Sequence, residues 1–486
     1  MQLPPPRSLW VDTATAPSRA DQPLPTEADV AVIGAGIAGL TTAYALADAG
    51  RSVVVLEAGE VAGGVSGHTT AKVTAQHAVK YRYLTDRNGA EAAAQYAASQ
   101  LGALEWIART AAELNIDCDF SRQDSFVYTR GHAGKLKREA EAAREAGLPA
   151  SFVKETTLPF PVAGAVRVSD QAQFHPRKWL LGLASAIERL GGVILEQARV
   201  ERVDERPVPT VHVRGTTVRA GDVVIATHYP ILDRGLYFAR LEPTRDLVVA
   251  GPGESPPGMY LEAETHRSLR GHNGIVIVGG EHYRTGEHLD VESRYLELAR
   301  AAGKFGVTEV THRWSAHDMS TLDGVPYVGH YVPWAKQLWV ATGFGQWGMT
   351  GGTAAGLLLD KEIRGEGSVY ARLYDPNRFD VRSAIGLAKT NAPVAKHLVG
   401  DHVRASAAPG TGEGVVSRRG AQFAASYRTA DGTVRTVNAR CTHLGCLVAF
   451  NNAEKTWDCP CHGSRFGTDG SVIEGPATKP LPPLPD

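Results

Sequence analysis

Residues 28–57 read ADVAVIGAGIAGLTTAYALADAGRSVVVLE, and the fold turns on this stretch. Val30 to Ile33 is a short apolar run of the kind that forms a strand buried on both faces. Gly34-Ala35-Gly36-Ile37-Ala38-Gly39 follows and opens a helix that Gly50 terminates. Arg51 to Leu56 is a second apolar strand, with Glu57 at its end. Strand, GxGxxG turn, helix, strand and terminal acid together make the dinucleotide-binding beta-alpha-beta fingerprint. Each glycine has its own reason. Gly34 permits the tight turn, Gly36 lets a pyrophosphate approach the backbone, and Gly39 lets helix and strand pack closely. The helix N-terminus offers free N–H groups to phosphate, and Glu57 is placed to accept hydrogen bonds from a ribose.

Around that unit the chain is long and nearly neutral. At 486 residues it exceeds what one hydrophobic core holds, so several domains are expected. A hydrophobic content of 43% with 21% charged residues is that of a globular protein. The net charge of -1 gives no electrostatic basis for a nucleic-acid or anionic-membrane partner. No apolar run is long enough for a membrane span. Residues 1–25, MQLPPPRSLWVDTATAPSRADQPLP, have no signal-peptide core, and a cytoplasmic location is the default expectation. Their prolines predict an extended surface arm. Cys118 stands alone, whereas the other four cysteines fall between Cys441 and Cys461, a clustering that points to a metal or redox site.

Further along, the pattern predicts helices over 89–115, 135–147, 179–190, 293–303 and 353–363, with another around Val381 to Leu398. It predicts a strand pair at 193–195 and 198–203, strands at 211–218 and 222–227, several between 236 and 280 (LYFARL, TRDLVVAG, MYLEA, GIVIVGG), and one at 337–342. GIVIVGG does not run on into a helix, so the chain has one complete fingerprint. A flavoprotein reduced by a nicotinamide would need a second, which favours FAD over NAD. Loop GFGQWGMTGG at 343–352 and the helix after it place a helix N-terminus where negative charge on a reduced flavin would be stabilised.

From Asp29 to Ile363 the chain resembles the FAD-dependent amine and amino-acid oxidoreductases related to D-amino-acid oxidase, glycine oxidase and sarcosine oxidase. The resemblance is carried by Ala31 to Gly39, the Glu57 strand end, DVVIAT at 222–227, LDGVPYVG at 322–329 and ATGFGQWGMTGG at 341–352. It implies a two-lobed, Rossmann-type α/β fold with an α+β substrate lobe. The FAD domain would be discontinuous, at 28–80, 160–229 and 312–385, after an arm at 1–27. Segments 81–159 and 230–311 would form the substrate domain, with its large sheet over the flavin. The implied FAD contacts are Gly34, Gly36, Ile37, Ala38, Gly39, Glu57, Ala58, His68, Thr69, Val200, Thr227, Asp323, Gly343, Gly345, Gly348, Met349 and Thr350. Val200 would meet the adenine through its backbone, and the turn at Asp323 and the later loop would close over the isoalloxazine. The offset of His68 from Glu57 is similar to that of the flavin-linked histidine of the dimethylglycine and sarcosine dehydrogenases. Gly67 stands where those proteins have an aromatic residue, and the alternative is a histidine lining the pyrophosphate loop.

An amino-acid substrate needs an arginine for its carboxylate and an apolar or aromatic wall. Tyr237, Arg240 and Arg245 on the strands after DVVIATHYP, Trp347 and Met349 in the flavin loop, and His317 near the LDG turn are the available groups. Of these, Tyr237, Arg245 and Trp347 are the candidate catalytic residues.

CTHLGC at 441–446 and CPCHGS at 459–464 each present one Cys-x-His or Cys-x-x-His unit and a further cysteine. Two thiolates and two imidazoles are the donor set of a 2Fe–2S cluster with histidine on one iron. A structural Cys₂His₂ zinc site is the alternative, and it leaves the extra cysteine pair unexplained. The module resembles Rieske domains of the high-potential type over 408–486, joined by a linker at 386–407. That resemblance implies a small all-β domain with Cys441 and Cys459 on one iron, His443 and His462 on the other, and Cys446 and Cys461 as a disulfide. Ser464 would donate a hydrogen bond to a cluster sulfur. The combination implies an FAD-dependent dehydrogenase that oxidises a C–N bond of a small amine or amino acid and relays electrons singly to an unidentified external acceptor. The alternatives are a Rieske oxygenase or its reductase, and a redox relay with no substrate of its own.

Overall fold

The computed structural model describes residues 3–232, 234–378 and 408–485. The linker at 386–407 and the helix expected near 381–398 lie outside the described residues. At the centre of the nucleotide lobe is β1 (Glu27–Ile33), followed by α1 (Ile37–Asp48) and β2 (Val53–Leu56). β1 pairs in parallel with β2 on one side and with strand Thr216–Ile225 on the other. The eight-stranded sheet extends through Val193–Leu195 at one end and through Leu338–Thr342 and Tyr327–His330 at the other. Only Tyr327–His330 runs antiparallel along this path. Burial on both faces explains why β1 and β2 are continuous apolar runs rather than alternating ones.

Four expectations need correction. Val193–Leu195 pairs with β2, not with the strand after it, which joins Thr210–Val213 instead. The run 211–218 is split by a turn in which Arg214 and Gly215 both take positive φ. LYFARL is not a strand. Tyr237–Arg240 form one helical turn, and the strand begins at Leu241. The N-terminal arm is not laid on the surface either: Leu9–Thr13 is helical, and the fully buried Trp10 donates its indole N–H to the Thr69 carbonyl at 2.7 Å.

The second lobe is built on a nine-stranded sheet. Its edge is β3 (Leu241–Pro252) and β4 (His312–Thr321), an antiparallel pair in register over ten residues. Gly164–Gln173 also belongs to this sheet, paired with Ser121–Thr129. Segments 164–173 and 312–321, expected in the nucleotide lobe, therefore pair into the sheet of the other lobe. A strand follows its hydrogen-bonding partner, and that partner lies far away in sequence.

Helix α2 (Gly348–Ile363) returns to the nucleotide sheet and packs across α1. The helices touch through small residues. A Cβ on Gly352 would lie 2.6 Å from the Ile37 side chain, and one on Gly356 would lie 2.6 Å from Thr41. Close packing of this kind brings the N-termini of α1 and α2 to the same cleft. The C-terminal module consists of a three-stranded sheet and a four-stranded sheet that ends in β5 (Val472–Glu474). Trp457, Phe466, Leu481 and four cysteines form its core. Among the described residues no helix is long and apolar enough to cross a membrane.

Candidate active site

One cleft runs from the N-terminus of α1 to the N-terminus of α2. At the α1 end Gly34 sits at φ +106°, and a Cβ there would lie 2.5 Å from the Ala226 carbonyl. A Cβ on Gly39 would lie 1.9 Å from the Gly34 carbonyl. Gly36 lines the cleft, and a Cβ on it would meet only the Ser66 hydroxyl, at 3.1 Å. Glu57 accepts from the Ala35 and Gly59 amides, both at 2.8 Å. Burial pushes its carboxyl above the usual range, and the two amide donors act the other way. Ile37, Ala38, Ala58, Thr69, Val200 and Thr227 complete this end. An open backbone cradle, a helix N-terminus and an oriented acid fit an extended dinucleotide.

At the α2 end, Trp347, Gly348 and Met349 line the cleft, with Trp347 stacked on His77 at 4.7 Å between ring centres. Several expected flavin contacts do other work. The Thr350 hydroxyl donates to the Thr74 carbonyl at 2.9 Å and anchors the helix. Gly343 fits against Thr321, where a Cβ would approach to 2.3 Å, and the Gly345 amide donates to Met319 on β4. Asp323 is gripped by Arg378 through two contacts, at 2.7 and 2.9 Å, and caps the Val325 amide. Burial alone would raise its carboxyl, but the Arg378 guanidinium holds it below the usual range. These residues shape the loop without lining the cleft. His68 also lies off the lining, with Nδ1 2.9 Å from the Gly64 carbonyl.

Of the candidate catalytic residues, only Trp347 lines the cleft. Tyr237 is buried and donates to the Tyr331 carbonyl at 2.9 Å. Arg240 lies over the Tyr327 ring. Arg245, only 1% exposed, pairs with Glu454 of the C-terminal module at 2.8 Å. The side chains that do gather near α2 carry no local signal in the sequence. Asp246 on β3 and Asp318 on β4 are diagonal neighbours, since Asp246 pairs in register with Ala316. Gln346 bridges them: its amide N–H donates to Asp318 at 3.0 Å and its side chain to Asp246 at 2.5 Å. Burial, helped by Asp246, pushes the Asp318 carboxyl up to about 7. Lys72 donates to the Tyr260 carbonyl at 2.7 Å and the Ser268 hydroxyl at 2.8 Å, and burial brings its ammonium down to about 7.

In the C-terminal module the expected donors lie in two close pairs, thiol by thiol and imidazole by imidazole. Cys441 and Cys459 are buried free thiols, and the rings of His443 and His462 lie 5.0 Å apart, nearly perpendicular. Cys446 and Cys461 form a disulfide, and the Cys459 sulfur lies within 4.8 Å of both of its sulfurs. Two thiols and two imidazoles at the tips of adjacent loops fit a cluster of mixed ligation, with the disulfide tying the loops together. The Phe238 ring packs edgewise on His462 at 5.6 Å and on His443 at 6.2 Å.

This module also closes the cleft. Glu474 on β5 lies 2.7 Å from His317 Nδ1 and 3.7 Å from Arg245. Burial would raise the Glu474 carboxyl, but Arg465, His317 and Arg245 hold it well below its ordinary range. Asn452 caps the helix Val291–Gly303 through the Val291 amide at 2.9 Å. Ile473, Glu474, Gly475, Ala477 and Thr478 line the same cleft as Gly34 and Trp347.

Two family models match the chain: FAD dependent oxidoreductase over residues 29–361, and Rieske [2Fe-2S] domain over 403–485. A Bacillus subtilis (strain 168) protein, YhfW, named as a Rieske 2Fe-2S iron-sulfur protein, is 34% identical over 498 residues, covering 98% of this chain and 97% of its own. Cytochrome b6-f complex iron-sulfur subunit 1 of Nicotiana tabacum is 57% identical over 49 residues, which is 10% of this chain and 22% of that one. Among solved structures, glycine oxidase from Geobacillus kaustophilus matches with a TM-score of 0.63 at 19% identity, over 73% of this chain and 100% of that one. L-proline dehydrogenase from P. horikoshii matches at 0.61 and 19%, over 73% and 98%. At such identities the structural likeness speaks for the fold.

Proposed function

The chain belongs to the FAD-dependent oxidoreductases and ends in a Rieske [2Fe-2S] domain, and from that premise we propose that it oxidises a C–N bond of a small amine and delivers electrons singly to an external acceptor. One observation carries the reading: the segment that closes the Rieske domain lines the cleft built by the FAD fingerprint. FAD supplies acceptance of an electron pair, and a Rieske cluster handles one electron at a time. The residues of the chain do the rest. Backbone groups at Gly34–Ala38 seat the nucleotide, and the α2 N-terminus offers positive potential at the far end. The Rieske ligands would be Cys441, Cys459, His443 and His462.

The substrate end favours an amine over an amino acid. Asp246, Asp318 and Gln346 line it, and among the described residues no arginine lines the cleft near α2. The one lysine there, Lys72, already has two acceptors. A carboxylate would find little to pair with, whereas an ammonium would find two acids. Asp318 is positioned to take the proton of the ammonium, leaving the neutral amine that C–H cleavage requires. Mixing the holoprotein anaerobically with simple alkylamines and with amino acids, while following flavin and then cluster absorbance, tests this. Bleaching by alkylamines followed by cluster reduction is expected. Bleaching by NAD(P)H with no response to any amine or amino acid overturns it.

A further inference from the structure

We propose that residues 473–478 of the Rieske domain are part of the FAD site, so that FAD is held between two domains and is released only when the cluster domain lifts away. This rests on FAD as the occupant of the cleft. Ile473 is the first sign. It is 44% exposed and lines the cleft beside the half-buried Glu474, so a large apolar side chain stands on the cleft wall without being covered by protein. An apolar group in that position gains by contact with a flat or aliphatic part of a ligand.

The segment is also a strap anchored to the cleft wall at two points. At one end the Arg199 guanidinium, itself beside Val200 in the cleft wall, donates to the Val472 carbonyl at 3.1 Å. At the other, Glu474 meets His317 on β4. One contact is thus to the wall beside Val200 and the other to the strand that carries Asp318.

The docking that holds it there is close and charged. A Cβ on Gly286 would lie 2.3 Å from Pro460 N, and one on Gly463 would lie 2.6 Å from the Pro243 side chain, so each glycine admits a close approach of the other domain. Arg245 is buried between Glu454 and Glu474, and Ser315 joins the same group. A buried arginine paired to carboxylates of another domain fixes orientation, because leaving either partner alone is costly. From the cluster side, the Ala477 amide donates to Ser464 Oγ at 3.0 Å. The strap is therefore fastened to the cluster loop on one side and to the flavoprotein lobes on the other.

The test is FAD retention by the full-length holoprotein, with the cluster's EPR signal as the check that the Rieske domain is intact. Ile473→Asp is expected to raise the FAD dissociation constant about tenfold or more with the cluster signal unchanged, and Ile473→Val by less than about threefold. Equal FAD affinity in wild type and Ile473→Asp, with the cluster intact, overturns the proposal. Should Ile473→Asp not fold, hydrogen exchange on the wild-type chain decides. Amides of 472–478 are expected to exchange more slowly with FAD bound, and equal rates with and without FAD overturn the proposal. Wild-type protein that never retains FAD would instead defeat the reading of the cleft itself, and FAD retention without a response to amines would defeat only the proposed reaction.

Discussion

The two ends of the cleft are made of different material. At the α1 end the lining is largely backbone, Gly34 to Ala38 at the start of α1, with Glu57 the acid that orients it. At the α2 end they are side chains from separate strands, Asp246 on β3, Asp318 on β4 and Lys72 near the first crossing into the large sheet. A backbone site tolerates almost any side chain that keeps the chain path and almost none that alters it. A side-chain site is the reverse: its chemistry can be changed one residue at a time while the fold stays. A scaffold built this way can keep its cofactor while its substrate end varies.

That contrast can be broken in graded steps. The largest effect belongs to Gly39→Ala. Its Cβ would need to occupy space 1.9 Å from the Gly34 carbonyl, and a loss of about 3 kcal/mol or more in denaturant unfolding, with loss of FAD, is expected. Cys459→Ser comes next. It removes a cluster donor, and the cluster's visible absorbance and EPR signal should disappear while FAD-lobe folding, read by circular dichroism, persists. Asp318→Asn should raise KM for alkylamines about tenfold, or about 1.4 kcal/mol, with FAD affinity unchanged.

The same residue sets a pH dependence. Asp246, Gln346, His282 and Arg245 surround Asp318, and its carboxyl titrates near 7. Below that pH it is protonated, so amine binding should weaken as pH falls through about 7 and level off above it, and the Asn variant should lose this limb. The sign for stability is opposite: the folded chain holds a proton that the unfolded chain has released, so this group's contribution declines as pH rises from the ordinary aspartate range to about 7. The smallest effect is Gly50→Ala. Its φ is +83° but nothing lies within 4 Å, so only backbone strain of about 1 kcal/mol is expected.

Legibility in the sequence followed the same divide. GAGIAG and the two cluster loops could be read because a few adjacent residues perform one task, and local spacing encodes it. Asp246 and Asp318 could not, because only the antiparallel register of β3 and β4 makes them neighbours. Arg245 is illegible for a related reason. Its strand position is compatible with solvent, substrate or a buried pair, and Glu454, more than two hundred residues on, decides among them. Asp323 lies in a motif that could be read, but its partner Arg378 takes both carboxylate oxygens, so it organises the turn instead of meeting ligand.

The hydrogen bond from the Ala477 amide to Ser464 Oγ joins the wall of one cofactor site to the loop of the other. Ser464 also stands by Cys441. If the strap shifts when the cleft fills, the hydrogen-bonding hydroxyl beside the cluster thiolate shifts with it. Linkage is reciprocal, so whatever FAD does to the cluster's midpoint potential, cluster reduction must do to FAD affinity, by the same free energy. A potentiometric titration of the holoprotein would then not be the sum of two independent curves, and the two redox centres would have to be described as one coupled unit.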